Sequence, residues 1–334
     1  MRPFKNAVVV GSGSWGTALA ALLAENELET TLLARDPALA EKVNLEHANE
    51  KYLPGHALPE NLRATTDESI VSQADLILLV VPTAHFREVC AHLSTLGISK
   101  QTVLMCCSKG IERNTGERMS QIAAEHFPDN PMSVLSGPNH AEEVVCQLAT
   151  CAVIAAHDHD LAVDLQITFS NDHFRCYTQG DVAGIELGGA LKNVFAIASG
   201  ISNGLGLGDN AASALVTRGL AEMIRLGCQM GGQRDTFIGL SGVGDLVATC
   251  YSEHSRNNRV GRAIGRGLSK DEALAEVGSV AEGVPNTLSI YEVARRAGVR
   301  TPLIDGVYQI LYEGREAKQV LHELITREQK REGE

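Results

Sequence analysis

One lysine stands where a lysine is least expected. The stretch "GIELGGALKNVFAIASGI", residues 184–201, reads as a helix that is apolar on nearly every face, with Lys192 in its middle. Fully buried lysines are rare unless they are paired. One turn away on either side lie Gly188, Gly189, Phe195 and Ala196. Three of these four are small, which is read as leaving room beside the ammonium. An ammonium stripped of water loses basicity and can act as an acid or base near neutrality. The competing reading is a lysine that snorkels along its stem to the surface.

Two further stretches offer polar groups to that lysine. In "GLSGVGDLVATCYS", residues 239–252, Asp245 is either a counter-ion for Lys192 or a helix N-cap. In "SEHSRNNRVGR", residues 252–262, Ser255 is expected to cap a helix opening on Arg256 and Asn257. A helix N-terminus that carries an arginine is a ready anion site and would suit a phosphate group. The plainer alternative is a solvated basic face.

A second set of residues points to a nucleotide. "VVVGSGSWGTALAALLAEN", residues 8–26, is a strand, then Gly11-x-Gly13-x-x-Gly16, then a helix. Alone the motif is weak, but between a first strand and an amphipathic helix it reads as a dinucleotide site. Gly11 permits the tight turn, Gly13 lets a pyrophosphate approach the backbone, and Gly16 lets helix and strand pack closely. The helix start at Ser14 then supplies N–H groups to the phosphates. Trp15 either packs over the turn or touches the cofactor. The second strand ends at Arg35 and Asp36. Asp36 precedes Pro37, as an N-cap with Pro at N1 should. Arg35 is therefore left for the cofactor, which leans toward the 2′-phosphate of NADP over NAD.

These groups need elements to hold them. Residues 1–182 alternate apolar runs with helical stretches: "AVVV", "TTLLA", "ADLILLVV", "TVLMCC", "MSVLS", "CAVIAA" and "FRCYT". Continuous apolar runs suit strands buried on both faces. The alternation predicts an α/β fold, a Rossmann-type doubly wound and largely parallel sheet. From about 183 to 334 the pattern becomes helical, which predicts a second, all-helical domain for the substrate. Ligands of a parallel sheet sit outside the carboxyl ends of its strands. The loops after the strands should thus bring Lys109, Gly137 and Asn139 near the reactive end of the cofactor. The charged tail "ITREQKREGE" is expected to fray.

Bulk properties narrow the function classes. The chain has 334 residues, a natural length for two domains, and a formal charge of −12. That charge argues against a nucleic-acid or anionic-membrane surface. No long apolar run lacks a charge or a glycine-rich break, and no secretory segment is seen, so neither membrane span nor export is expected. The eight cysteines form no CxxC; Cys106 and Cys107 suit buried thiols, and the set suits a reducing cytoplasm. Histidines show no ligand spacing, so no metal is expected. Two rivals share the pattern: a hydroxyacid dehydrogenase acting on a carboxylate, and a dinucleotide-binding sensor without chemistry. A sensor has no need of a lysine buried beside glycines.

The pieces together resemble one family closely, the bacterial-type NAD(P)-dependent sn-glycerol-3-phosphate dehydrogenases. The matching segments are "GSGSWGTALA", "CSKGIE", "LSGPNHAEEV", "ELGGALKNVFAIASGI", "GDNAASALVTRGLAEM", "LSGVGDLVATC", "SRNNRVG" and "AEGVPN", in that order across nearly the whole chain. The resemblance implies reversible reduction of dihydroxyacetone phosphate, supplying glycerol 3-phosphate for phospholipid synthesis. It implies Lys192 as proton donor and acceptor, with Lys109 touching both substrate and cofactor. It places Gly137, Asn139, Asp245, Ser255, Arg256 and Asn257 at the substrate. It places Ser14, Trp15, Arg35, Ala141, Arg256, Val280 and Glu282 at the cofactor. A homodimer is implied as well. One departure stands in "SGPNHA", where many members have serine and phenylalanine in place of Asn139 and His140.

Overall fold

The computed structural model describes residues 3–278, 280–328 and 331. Its first half is built on strands β1 (Asn6–Val10), β2 (Glu29–Leu33), β3 (Ala48–Asn49), β4 (Leu53–Ala57), β5 (Arg63–Thr65), β6 (Leu76–Leu79), β7 (Val103–Cys106), β8 (Met132–Ser136), β9 (Thr150–Ala156) and β10 (Phe174–Gln179). Between them run helices α1 (Ser14–Glu25), α2 (Pro37–Glu46), α3 (Phe86–Leu93), α4 (Met119–His126), α5 (Ala141–Val145) and α6 (His159–Phe169). β3 and β4 form a small antiparallel pair. The other strands make one sheet in the order β10-β9-β8-β7-β6-β1-β2-β5.

From β5 to β8 that order is the doubly wound 3-2-1-4-5-6 arrangement, all parallel. β9 then pairs antiparallel with β8, and β10 parallel with β9, so the last two strands run against the rest. Every residue of "LILL" in β6 and "VLMC" in β7 is buried, because helices cover both faces of the sheet. Asp36 caps α2 by accepting from the Ala38 N–H at 3.0 Å, with Pro37 as the first helical residue. β5 and the β3–β4 pair were not foreseen: they are short, half-exposed and lack a continuous apolar run.

The second half is helical: α7 (Val182–Gly204), α8 (Gly208–Gln229), α9 (Arg234–Ile238), α10 (Asp245–Tyr251), α11 (Arg256–Gly265), α12 (Lys270–Val277), α13 (Gly283–Arg296), α14 (Pro302–Tyr312) and α15 (Ala317–Ile325). A π-helical turn, Leu240–Gly244, leads into α10. Of the charged tail, Thr326 and Arg327 form a bend beyond α15, while residues 329, 330 and 332–334 lie outside the described residues.

α7 is the axis of this half. Asp181 caps it, accepting from Gly184 N–H at 2.9 Å. It is long and apolar enough to cross a membrane, yet 94% of its apolar window is buried inside the fold. Its partners include α8, α10, α11, α13 and α14. α11 lies closest, because Gly200 and Gly204 face Gly261 and Gly265 across the crossing; a Cβ on any of the four would overlap the opposite backbone. α7 also ties the halves together. Its buried Glu186 accepts from Ser120 N–H at 2.8 Å and from Arg118 at 2.5 Å, both at the start of α4.

Candidate active site

Three of the sequence-predicted residues meet in one buried ionic group. Asp245 is the first residue of α10, placed by the π-helical turn before it. One carboxylate oxygen accepts from Lys192 Nζ, the other from Lys109 Nζ at 2.9 Å. Of the two alternatives for Asp245, the structure realises the counter-ion; the N-cap of α10 is Gly244, with no side-chain cap bond, because both Asp245 carboxylate oxygens face the lysines. Lys109 donates twice more, to the Gly137 carbonyl at 2.9 Å and to Asn139 Oδ1 at 2.8 Å. Lys192 donates its second hydrogen to Thr249 Oγ1 at 2.7 Å, one turn beyond Asp245 on α10. Thr249 was missed from sequence; its i+4 spacing from Asp245 was the available signal.

The room expected beside Lys192 is filled. A Cβ on Gly188 would strike the Ser241 carbonyl of the π-helical turn. One on Gly189 would lie 2.6 Å from Ser136 Oγ and 3.4 Å from the Lys109 stem. The glycines admit the second lysine and the loop that carries Asp245; they do not open a cavity. The snorkelling alternative is also excluded, since Lys192 is only 6% exposed.

Electrostatics follow from this packing. Burial pulls the Lys192 ammonium down to about 8; Asp245 opposes that shift and Lys109 adds to it. Burial alone would raise the Asp245 carboxyl, but the two lysines outweigh it and hold the group below the usual carboxylate range. Two ammonium groups thus share one carboxylate, leaving a net positive, dry centre.

An amide chain connects this centre to α11 and α13. Asn193, beside Lys192, and Asn286 of α13 both donate to the Lys109 carbonyl, at 3.4 and 3.1 Å. Asn257 donates to Asn193 Oδ1 at 2.9 Å and accepts from Gly283 N–H at 2.9 Å. One amide hydrogen of Asn257 remains for a ligand. Ser255 caps α11, accepting from Asn258 N–H at 3.2 Å. Arg256 and Arg259 project into solvent from the first turn of that helix. Neither has an ion-pair partner within 4.0 Å among the described residues. Asn193 and Asn286 were not singled out from sequence, because an asparagine carries no periodic or spacing signal.

The glycine motif lies at the end of β1, on the sheet edge that also carries Lys109 and Gly137. Gly11 has φ +116°, and any side chain there would overlap the Val80 carbonyl. Gly16 packs on the Gly11 carbonyl so closely that a Cβ would overlap it. Gly13 differs: nothing lies within 4 Å of where its Cβ would be. Ser14 opens α1 beside that space, and the buried Trp15 Nε1 next to it has no hydrogen-bond partner. Asn49 braces the loop, donating to the Ser12 carbonyl at 3.1 Å and Thr17 Oγ1 at 2.8 Å. It too was missed, because it reaches the loop from the unforeseen β3.

The remaining candidates ring this edge. Arg35 follows β2 and is exposed. Ala141 is the buried first residue of α5. Val280 is 56% exposed, and Glu282 precedes α13 and accepts from Thr83 Oγ1 at 2.8 Å. Burial raises the Glu282 carboxyl, opposed by the Thr83 bond and by Arg256.

Comparison with known proteins gives one consistent result. The profile described as the NAD-dependent glycerol-3-phosphate dehydrogenase N-terminus matches residues 6–162, and that for the C-terminus matches residues 181–322. The chain is 46% identical to the glycerol-3-phosphate dehydrogenase [NAD(P)+] of Lysinibacillus sphaericus, covering 97% of each chain. It is 41% identical to that of Clostridium tetani, over 98% of this chain and 94% of the relative. Among solved structures, the crystal structure of glycerol-3-phosphate dehydrogenase from Coxiella burnetii superposes with a TM-score of 0.93 at 37% identity, covering 97% of this chain and 99% of that one. A ketopantoate reductase from Ralstonia solanacearum shares the fold at a TM-score of 0.60 and 17% identity. With both profiles matched in order, and with relatives aligned from end to end, the chain belongs to the NAD-dependent glycerol-3-phosphate dehydrogenase family.

Proposed function

We propose that the protein catalyses the reversible reduction of dihydroxyacetone phosphate to sn-glycerol 3-phosphate with NADPH or NADH, NADPH being favoured. The observation that carries this reading is the buried Lys192–Asp245–Lys109 group, a positive centre aimed at an oxygen that gains negative charge. The open space at Gly13, the unpartnered Trp15 Nε1 and the free Arg35 suit a dinucleotide. Gly11, Gly13, Ser14, Trp15 and Gly16 would hold its pyrophosphate side, Arg35 a 2′-phosphate, and Ala141, Arg256, Val280 and Glu282 the rest. When bound, the nicotinamide supplies a hydride to the substrate's carbonyl carbon.

This chain's residues handle everything else. Ser255, Arg256 and the second amide hydrogen of Asn257, at the start of α11, take the substrate phosphate. Gly137 and Asn139 line the reacting end. Lys192 gives a proton to the carbonyl oxygen as charge develops there. Lys109 stabilises the same charge by hydrogen bonding; losing one such donor typically costs about 3–4 kcal/mol of barrier. Asp245 keeps both ammonium groups in place and Lys192 charged at neutral pH. In the reverse direction neutral Lys192 takes the proton back. The same reading makes the protein a cytoplasmic homodimer that feeds glycerophospholipid synthesis, on the strength of the family resemblance; light scattering checks the dimer.

The test is direct. Purified protein is mixed with dihydroxyacetone phosphate and NADPH or NADH, and absorbance of the reduced cofactor is followed. Oxidation with dihydroxyacetone phosphate is expected, faster with NADPH. No oxidation of either cofactor sinks the reading.

A further inference from the structure

Dihydroxyacetone phosphate has three polar parts: a phosphate, a carbonyl and a free hydroxyl. The first two are accounted for above, and the third is not. Among the buried polar atoms near the lysines that have no partner are two on consecutive residues, Asn139 Nδ2 and His140 Nε2. Asn139 cannot turn its amide round. Lys109 only donates, so Asn139 must present Oδ1 to it, and Nδ2 is fixed on the other side. His140 follows directly, as the residue preceding α5. Its ring lies 6.1 Å from that of His254, tilted by 49°, just before the phosphate end of the site at Ser255. Burial lowers the His140 pKa, and the charge of Lys192 lowers it further, so the ring is neutral at pH 7. Buried polar atoms are usually hydrogen-bonded, so an unpaired one calls for an explanation, and a bound ligand is one.

We propose that Asn139 and His140 form the subsite for the substrate's free hydroxyl, and that His140 sets the preference for a hydroxymethyl ketone over a methyl ketone. This rests on the function proposed above. The chemistry matches: a hydroxyl accepts from Asn139 Nδ2 and exchanges a second hydrogen bond with a neutral imidazole, whichever tautomer it adopts.

The test compares dihydroxyacetone phosphate with hydroxyacetone phosphate, which lacks only that hydroxyl. Wild-type protein should prefer the former in kcat/KM by about 10⁴-fold, as sites built to bond a hydroxyl do. His140→Phe should lower kcat/KM for dihydroxyacetone phosphate about tenfold and change that for hydroxyacetone phosphate far less. His140→Gln, whose amide nitrogen reaches the place of Nε2, should keep most of the preference. Cofactor binding measured by fluorescence shows that each variant is folded, and His140→Leu replaces the phenylalanine variant if that one is not. Equal losses on both substrates, or no change on either, overturn the proposal. Wild-type protein inert toward dihydroxyacetone phosphate instead overturns the function on which it rests.

Discussion

The two halves of the molecule prepare for their ligands in opposite ways. At the sheet edge, binding is offered by backbone and by open space: Gly13 faces nothing, and Arg35 stands alone in solvent. In the helical half, it is offered by charges held in the core before any ligand arrives: Lys192 and Asp245 are both buried and paired. Lys109 belongs to both, rising from beyond the end of β7 to complete the ionic group of α7 and α10. A cofactor that must enter and leave is met by a surface with little to rearrange. The proton transfer proposed for Lys192 would take place in a preorganised, desolvated centre, where electrostatics act most strongly.

Four experiments would break or sharpen that contrast. The largest effect should come from Lys192→Met, which removes the proposed proton donor and should lower kcat by roughly 10²–10⁴-fold. Cofactor affinity, read by fluorescence titration, should stay unchanged; loss of both together would dissolve the division between the halves. Next comes a pair of glycines in one loop. Gly13 has φ −69° and ψ 178°, extended backbone that valine adopts freely, so Gly13→Val should fold as well as wild type while losing most cofactor binding. Gly16→Ala should instead destabilise the fold by about 1–3 kcal/mol, seen as a lower Tm, because its Cβ would overlap the Gly11 carbonyl.

The third experiment is a pH profile. With Lys192 as the proposed donor, reduction needs its charged form, whose pKa is lowered to about 8, so kcat/KM for reduction should be flat below that value. Above it the rate should fall about tenfold per unit, while oxidation of glycerol 3-phosphate should rise toward a plateau. A reduction profile flat to pH 10 would remove Lys192 from the proton transfer. The smallest effect belongs to the exposed sheet edge. Arg35→Ala should raise KM for NADPH about tenfold, the value of one charge-assisted bond, and leave NADH unchanged. A clear NADH preference in the wild type would reverse the assignment of Arg35.

Legibility in the sequence followed the same division. The glycine loop, the caps at Asp36 and Ser255 and the buried strands announce themselves, since each obeys a local rule of spacing or residue type. Lys192 was conspicuous because it broke such a rule. Its neighbours Gly188 and Gly189 were misread, since small residues signal close approach without saying what approaches. Thr249, Asn193, Asn286 and Asn49 stayed invisible: each bonds across the fold to a group 32 or more residues away, and no local pattern demands it. The reversal of β9 and β10 was hidden too, because the residue pattern along a strand reads alike in either direction.

The burial of α7 has a consequence for how the protein is made. α8, α10, α11, α13 and α14 all follow it in the chain. During synthesis, the helix that most resembles a membrane segment leaves the ribosome before any of these covers exists. The sheet domain can close first, as early domains of growing chains do. Lys192 meets Asp245 and Thr249 only after α10 has been made, and α11, the neighbour packed closest on α7, is complete only at residue 265. Until α8 to α11 emerge, the growing chain carries an apolar helix without its covers.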